Sequence, residues 1–204
     1  MLFLLPLAGC GIFGAEEPAF ESVTKDESFE MRDYPPLIVA QVKVPGDQKE
    51  AGNRGFRKLA GYIFGGNRSA DKIAMTAPVS QVPSKPSDDS GEKIAMTAPV
   101  SQLEQADGWL VRFTMPPGYT LQTLPVPNDG DVKLIEMPAA RYAVLKFSGN
   151  ARESLVQEKM RELISLTRER KLSVIGDVTL AQYNPPWMPG FLRRNEVMVE
   201  IAKK

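Results

Sequence analysis

The sequence predicts an α+β domain in which two similar halves share one curved sheet flanked by two helices. Two observations carry this. The order strand–helix–strand–strand is met over residues 29–115 and again over 132–201. Each predicted helix is also apolar on one face only, so neither unit can bury its helix and both sides of its strands alone. The openings of the halves match in detail: Glu30-Met31, a proline and Leu37-Ile38-Val39 stand against Glu136-Met137, a proline and Tyr142-Ala143-Val144. A saddle of this kind places its helices on the faces of the sheet and leaves a groove near the seam between halves, a natural ligand position.

The chain opens with Met1–Cys10, MLFLLPLAGC, an apolar run ending in small residues. It is shorter than the roughly 20 residues that span a bilayer, and reads as the end of a secretory signal. Residues 11–27 are small and acidic and read as a tether to a domain over 28–204. The first unit begins with an extended stretch from Phe29, broken at Pro35-Pro36 and resumed as the alternating run Leu37–Val44. A helix follows from Gln48 to Phe64. Asp47 and Glu50 form a capping pair, Phe56, Leu59, Ala60 and Ile63 share a face, and Gly65-Gly66 stops it. Strands are expected at Ile73–Gln81 and Trp109–Met115. In the second unit, Val132–Met137 and Arg141–Phe147 are strands parted by Pro138. Asn150–Arg170 is a helix with Asn150 and Glu153 at the cap-and-acid spacing and a stripe of Leu155, Val156, Met160, Leu163, Ile164 and Thr167. Arg168, Arg170 and Lys171 suit its negative end. Val178–Tyr183 and Glu196–Ala202 close the unit.

One decapeptide, KIAMTAPVSQ, occurs twice, at Lys72–Gln81 and Lys93–Gln102, with a Pro/Ser/Asp-rich linker between. Either both copies pair as a hairpin, or one replaces the other in the sheet; spacing does not decide. Met75 and Met96 read as core fillers and Thr76 and Thr97 as structural hydroxyls, since no base stands ready to activate them.

Composition narrows the chemistry. The chain has 25 Lys+Arg against 25 Asp+Glu, so it lacks the basic excess of a nucleic-acid binder. It has no histidine and one cysteine, Cys10. That removes Ser-His-Asp and Cys-His catalysis, ordinary zinc sites, histidine-ligated heme and any intramolecular disulfide. A ligand must be held by shape, apolar contact, carboxylates, Arg, Lys, Tyr, Met or backbone.

Several segments resemble the SOUL heme-binding family in family order: Phe29–Pro36, Gly55–Asn67, Lys72–Val79, Val111–Pro117, Leu124–Val126, Phe147–Gly149, Ala181–Trp187 and Arg193–Val197. The resemblance implies a distorted antiparallel barrel or saddle flanked by two helices, similar to the effector-binding domains of multidrug-responsive regulators. It implies a tetrapyrrole ligand, heme or another, bound non-covalently beside the first helix and without histidine ligation. Phe56, Leu59, Ala60 and Ile63 would form the apolar floor, and Arg54, Arg57 or Lys58 would meet the carboxylates, for which a guanidinium is suited. The Pro185–Phe191 loop would form a lid, with Trp187 and Phe191 stacking on the ring and Met188 among the binding residues. Gly61 stands where some relatives place a lysine, which weakens that clamp. Leu7-Ala8-Gly9-Cys10 looks like a bacterial lipobox, which implies lipid on Cys10, membrane attachment and a periplasm-facing position, with Gly11 favouring the outer membrane. The alternative is a cytosolic chain with an apolar start. No protein partner is named by the sequence. Two further functions stay open: an enzyme, removing iron from heme or using Glu136 or Glu196 as a base, and a small-molecule or partner-binding module without heme. Arg193–Glu196 reads as salt bridges and turn bonds at the mouth of the last strand.

Overall fold

The structure, a computed structural model, describes residues 15–69 and 91–203. The predicted strand Ile73–Gln81, within the first decapeptide copy, and the segment Met1–Cys10 lie outside them. A nine-stranded open antiparallel sheet runs in the order β1 (Glu21–Lys25), β2 (Phe29–Tyr34), β9 (Ala140–Ser148), β11 (Arg194–Ile201), β10 (Thr179–Gln182), β5 (Val100–Gln105), β6 (Gly108–Thr114), β3 (Leu37–Val44), β8 (Lys133–Met137). Asn67–Arg68 (β4) and Val126–Pro127 (β7) form a separate two-stranded ribbon. Helices α1 (Gln48–Ile63) and α2 (Glu153–Glu169) complete the fold.

The order is symmetric about the β10–β5 junction: β11 mirrors β6, β9 mirrors β3 and β2 mirrors β8. Each half gives its opening strand to the other, β2 pairing with β9 and β8 with β3. The expected repeat is present with a register one residue from the sequence match. Arg32 pairs with Tyr142 while Met137 pairs with Leu37, so Arg32 and not Met31 is the counterpart of Met137. A slip of one residue sends every side chain to the other face. Identical Glu-Met dipeptides therefore misled the sequence alignment.

One row across the sheet is Val42, Val111, Gln102, Leu180, Val197, Leu145 and Phe29. The apolar members of this row belong to the two cores that the helices cover, α1 over β3, β5 and β6, and α2 over β9 and β11. Both helices thus lie on one face rather than dividing between the two, and the opposite face is left to form a cleft. Close approach of α1 depends on glycine: a Cβ on Gly55 would stand 2.5 Å from Val111 Cγ2 and one on Gly52 2.7 Å from Gln102 Nε2.

Local signals explain the helix ends. Asp47 Oδ1 accepts from Glu50 N at 2.8 Å, as the capping pair predicts. On α2 the cap is Arg152, without a side-chain bond, so Asn150 is not the cap; it sits instead beside Gly190, where a Cβ would lie 2.7 Å from its Oδ1. The expected tether also belongs to the fold. Glu21–Lys25 is an edge strand, and residues 16–20 cross the cleft face, with Ala98 N donating to Glu16 O at 2.9 Å. The second decapeptide copy supplies the seam: Ile94 is buried, Ile94 N donates to Ile63 O, Thr97 Oγ1 donates to the Thr114 carbonyl, and Val100 begins β5.

Candidate functional site

The stripe predicted on α1 divides. Leu59 and Ile63 point into the core with Ala51, Gly55 and Tyr62. Phe56 stays 38% exposed, its ring edge-on to Phe113 at 5.4 Å. Ala60 is half-buried, Gly61 exposed, and Phe64, one residue past the helix, is 61% exposed. Phe56, Ala60 and Phe64 follow at i, i+4 and i+8, so they form an outer ridge about 12 Å long. Beside it nothing lies within 4 Å of a Cβ built on Gly61. The ridge thus carries a ring at each end with the small Ala60 between them, and the open Gly61 lies on its flank beside Phe64. Phe64 is its unpredicted member, and its helix-end position was the available signal.

The cations differ in freedom. Lys58 is held by Asp129 and Asp131 at 2.7 and 2.9 Å, and those carboxylates raise its pKa. Arg54 Nη1 reaches the Pro45 carbonyl at 3.4 Å, and Arg57 is exposed on the ridge side. The 185–192 loop exposes Trp187 (78%), Phe191 (76%) and Leu192 (59%), while Met188 is buried beneath them. Arg193 ties that loop by donating from Nε to Met188 O and from Nη2 to Pro186 O. Gly149 N donates to Gly190 O, and Gln48 Nε2 to Ala151 O. The loop therefore stands by the N-terminal end of α1, not over the ridge's far end at Phe64.

The second concave region is the cleft on the face away from the helices. It has an empty volume of about 680 Å³, open mouth included, and Tyr34, Leu37, Arg112, Met137, Tyr142 and Met198 are among its lining residues. Behind its lining tyrosines Tyr34 and Tyr183 lies a buried ionic cluster. Arg32 donates to both oxygens of Glu196, at 2.8 and 2.9 Å, to Glu30 Oε2 and to Tyr34 Oη. Tyr183 Oη donates to Glu196 Oε2 at 2.6 Å. Burial opposes the Arg32 charge, but the hydrogen bond and charge of Glu196 outweigh it and raise its pKa. Burial, then the charge of Glu196, pushes Tyr183 well above the usual phenol range, and burial pushes Tyr34 up to about 12. Glu196 is thus held by a bidentate arginine and a phenol, and Glu136 is exposed on edge strand β8. Over the mouth runs the Glu16–Phe20 strap: Glu17 meets Arg194 at 2.6 Å, and Phe20 stacks against Arg32 and Tyr34.

The SOUL heme-binding protein family profile matches twice, over residues 15–90 and 84–200. The chain belongs to this family. Each match contains one decapeptide copy, as a tandem duplication of a single family segment requires. No curated protein matches significantly. Among solved structures, a hydrolase from Listeria innocua is similar at 12% identity and TM-score 0.53, over 88% of this chain and 94% of that one. The EcmrR C-terminal domain is similar at 11% identity and TM-score 0.51, over 91% and 99%. EcmrR in its DNA complex gives 10% and 0.59, over 86% of this chain but 57% of that one. At these identities the likeness is one of fold: the α+β saddle of SOUL proteins is shared, whatever each relative does. Membership supports heme or tetrapyrrole binding as the general function. The side chains of this SOUL protein fit such a group held by its faces and carboxylates. They do not supply an imidazole, and among the described residues no cluster of His, Cys, Asp or Glu could hold a metal.

Proposed function

We propose that this protein binds heme or a related tetrapyrrole non-covalently on the outer ridge of α1, as a carrier, buffer or sensor in the cell envelope. The observation that carries the reading is the platform made by the outer ridge of Phe56, Ala60 and Phe64, with open space over Gly61 on its flank, in a member of a heme-binding family. A flat macrocycle would cover the two rings and the glycine, and Arg57 would receive a propionate. Arg54 can join by leaving Pro45, whereas Lys58 is committed to its aspartates. Trp187 and Phe191 would extend the apolar contact at the helix's N-terminal end; Leu59 and Ile63 support the platform from within.

Substitution at Gly61 tests this without touching the core, because the site is open and Lys or Glu there has a higher helix propensity than glycine. Hemin titration of the whole chain, read at the Soret band, should show tighter binding for Gly61→Lys and binding weakened about tenfold or more for Gly61→Glu, the size of one charged contact. Equal affinities for wild type and both variants would overturn the ridge.

The lipobox-like Leu7–Cys10 supports attachment through lipid on Cys10, facing the periplasm and sorted to the outer membrane. Cys10 and Glu17 at the cleft mouth are seven positions apart, so the domain would hang within about 25 Å of the bilayer. More than one acyl chain is needed for firm anchoring. Fractionation should find wild type with membranes and Cys10→Ser released; the same distribution for both would remove the anchor.

A further inference from the structure

The cleft face carries a charge that the fold leaves unanswered. A row across the sheet reads Gln41, Arg112, Ser101, Ala181, Glu196, Lys146. Ser101 and Ala181 are paired at the pseudo-axis, so Arg112 in one half occupies the position of Glu196 in the other. The halves treat these equivalent charges differently. Glu196 receives Arg32 from the exchanged strand β2. The counterpart of Arg32 on the exchanged strand β8 is Met137, so Arg112 receives no opposite charge. Arg112 Nε donates to Gln41 Oε1, a neutral acceptor, at 3.0 Å. Its Nη groups make no hydrogen bond, and no ion pair reaches it, among the described residues. Burial draws its pKa down, with only Tyr142 opposing. Glu17, the one acid lining the cleft, is already occupied by Arg194.

We propose that the seam cleft is a binding site for an apolar organic monoanion, separate from the α1 ridge. The guest's carboxylate takes both Nη groups of Arg112 side by side, the geometry in which a guanidinium is strongest. Its hydrocarbon or aryl body lies against Leu37, Met137, Tyr142 and Met198. A half-buried cation without a counter-ion costs free energy in the empty protein, and an anionic guest removes that cost. A cationic guest meets the same charge as repulsion, and a dianion leaves its second charge in the apolar lining. This site is independent of the tetrapyrrole reading.

The test uses 1-naphthoate, with 1-naphthalenemethanol and 1-naphthylmethylamine as neutral and cationic matches, titrated calorimetrically into the full chain. Naphthoate should bind more tightly than either match. Arg112→Met should weaken naphthoate about tenfold or more, the size of a charged hydrogen-bond pair, and leave the alcohol nearly unchanged. Arg112→Lys should recover part of the loss. Met137→Glu gives Arg112 the partner its counterpart has; it should abolish naphthoate binding and keep the fold. Gly61→Glu should leave naphthoate unaffected, which separates this site from the ridge. Tighter binding of the amine, or naphthoate affinity unchanged in both Arg112→Met and Met137→Glu, would overturn the proposal.

Discussion

At the residue scale the decisive groups are those whose partners lie far away in sequence. Arg32 and Glu196 meet across 164 positions, so no local pattern announces them. The sequence reading of Arg193–Glu196 as turn bonds and salt bridges holds. Arg193 ties the loop, Arg194 N bonds Asn184 Oδ1, Asn195 Nδ2 bonds Gly149 O, and Glu196 pairs with Arg32. The same cluster sets an acid limit. Burial pushes the Glu30 carboxyl up, but Lys146, Arg32 and the Ser22 hydroxyl outweigh it and hold its pKa at about 2, against 4.5 for a free glutamate. A depressed carboxyl contributes stability above its unfolded value and loses it as pH falls through the folded one. Wild type should therefore lose stability between about pH 4.5 and 2 more steeply than Glu30→Gln. Guanidinium midpoints of the two proteins at several pH values across that window check this; parallel curves would show that Glu30 is not the group concerned.

At the element scale, legibility followed periodicity. Both helices and most strands were readable because a 3.6-residue or two-residue repeat of apolar side chains reports a buried face directly. The edge strand β1 was not, since all five of its residues are exposed and its pairing comes wholly from β2. The strap before it was hidden for the same reason: small acidic residues look like a tether until Arg194, Arg32 and Tyr34 are brought beneath them. The duplicated decapeptide is the limiting case, because identical copies have identical propensities. What distinguishes the second copy is what surrounds it. Asn67 Nδ2 donates to Glu92 O, and Glu92 N to Asn67 Oδ1, which delivers Lys93 to the end of α1 and Val100 to β10. The α1 stripe was correctly placed on one face, yet a face wider than the contact it makes leaves its edge outside. Leu59 and Ile63 became core and Phe56 became surface. Periodicity gives direction but not the width of the covering sheet.

At the scale of the whole molecule, exchange of the opening strands binds two sequence halves into one folding unit. The order of the strands mirrors about the seam, and each half has its own core, one under α1 and one under α2. Two cores of this kind would unfold independently if each half kept its own strands. Here β2 leaves the first half to pair with β9, and β8 leaves the second to pair with β3, while β5 and β10 join at the seam. Unfolding either half strips a paired strand from the other, so the free energies cannot separate. Leu163, fully buried on the core face of α2, and Trp109, buried under α1, report on opposite halves. In a Trp187→Phe background Trp109 is the sole tryptophan. Leu163→Ala should destabilise by about 2–5 kcal/mol. It should shift the guanidinium midpoint of Trp109 fluorescence by as much as that of far-UV circular dichroism, as one cooperative transition requires. A Trp109 midpoint that stays at its parent value while the dichroism moves would mean that the halves unfold apart. The pseudo-symmetric seam, with Arg112 facing Glu196 across it, would then be a docking contact rather than part of a single core.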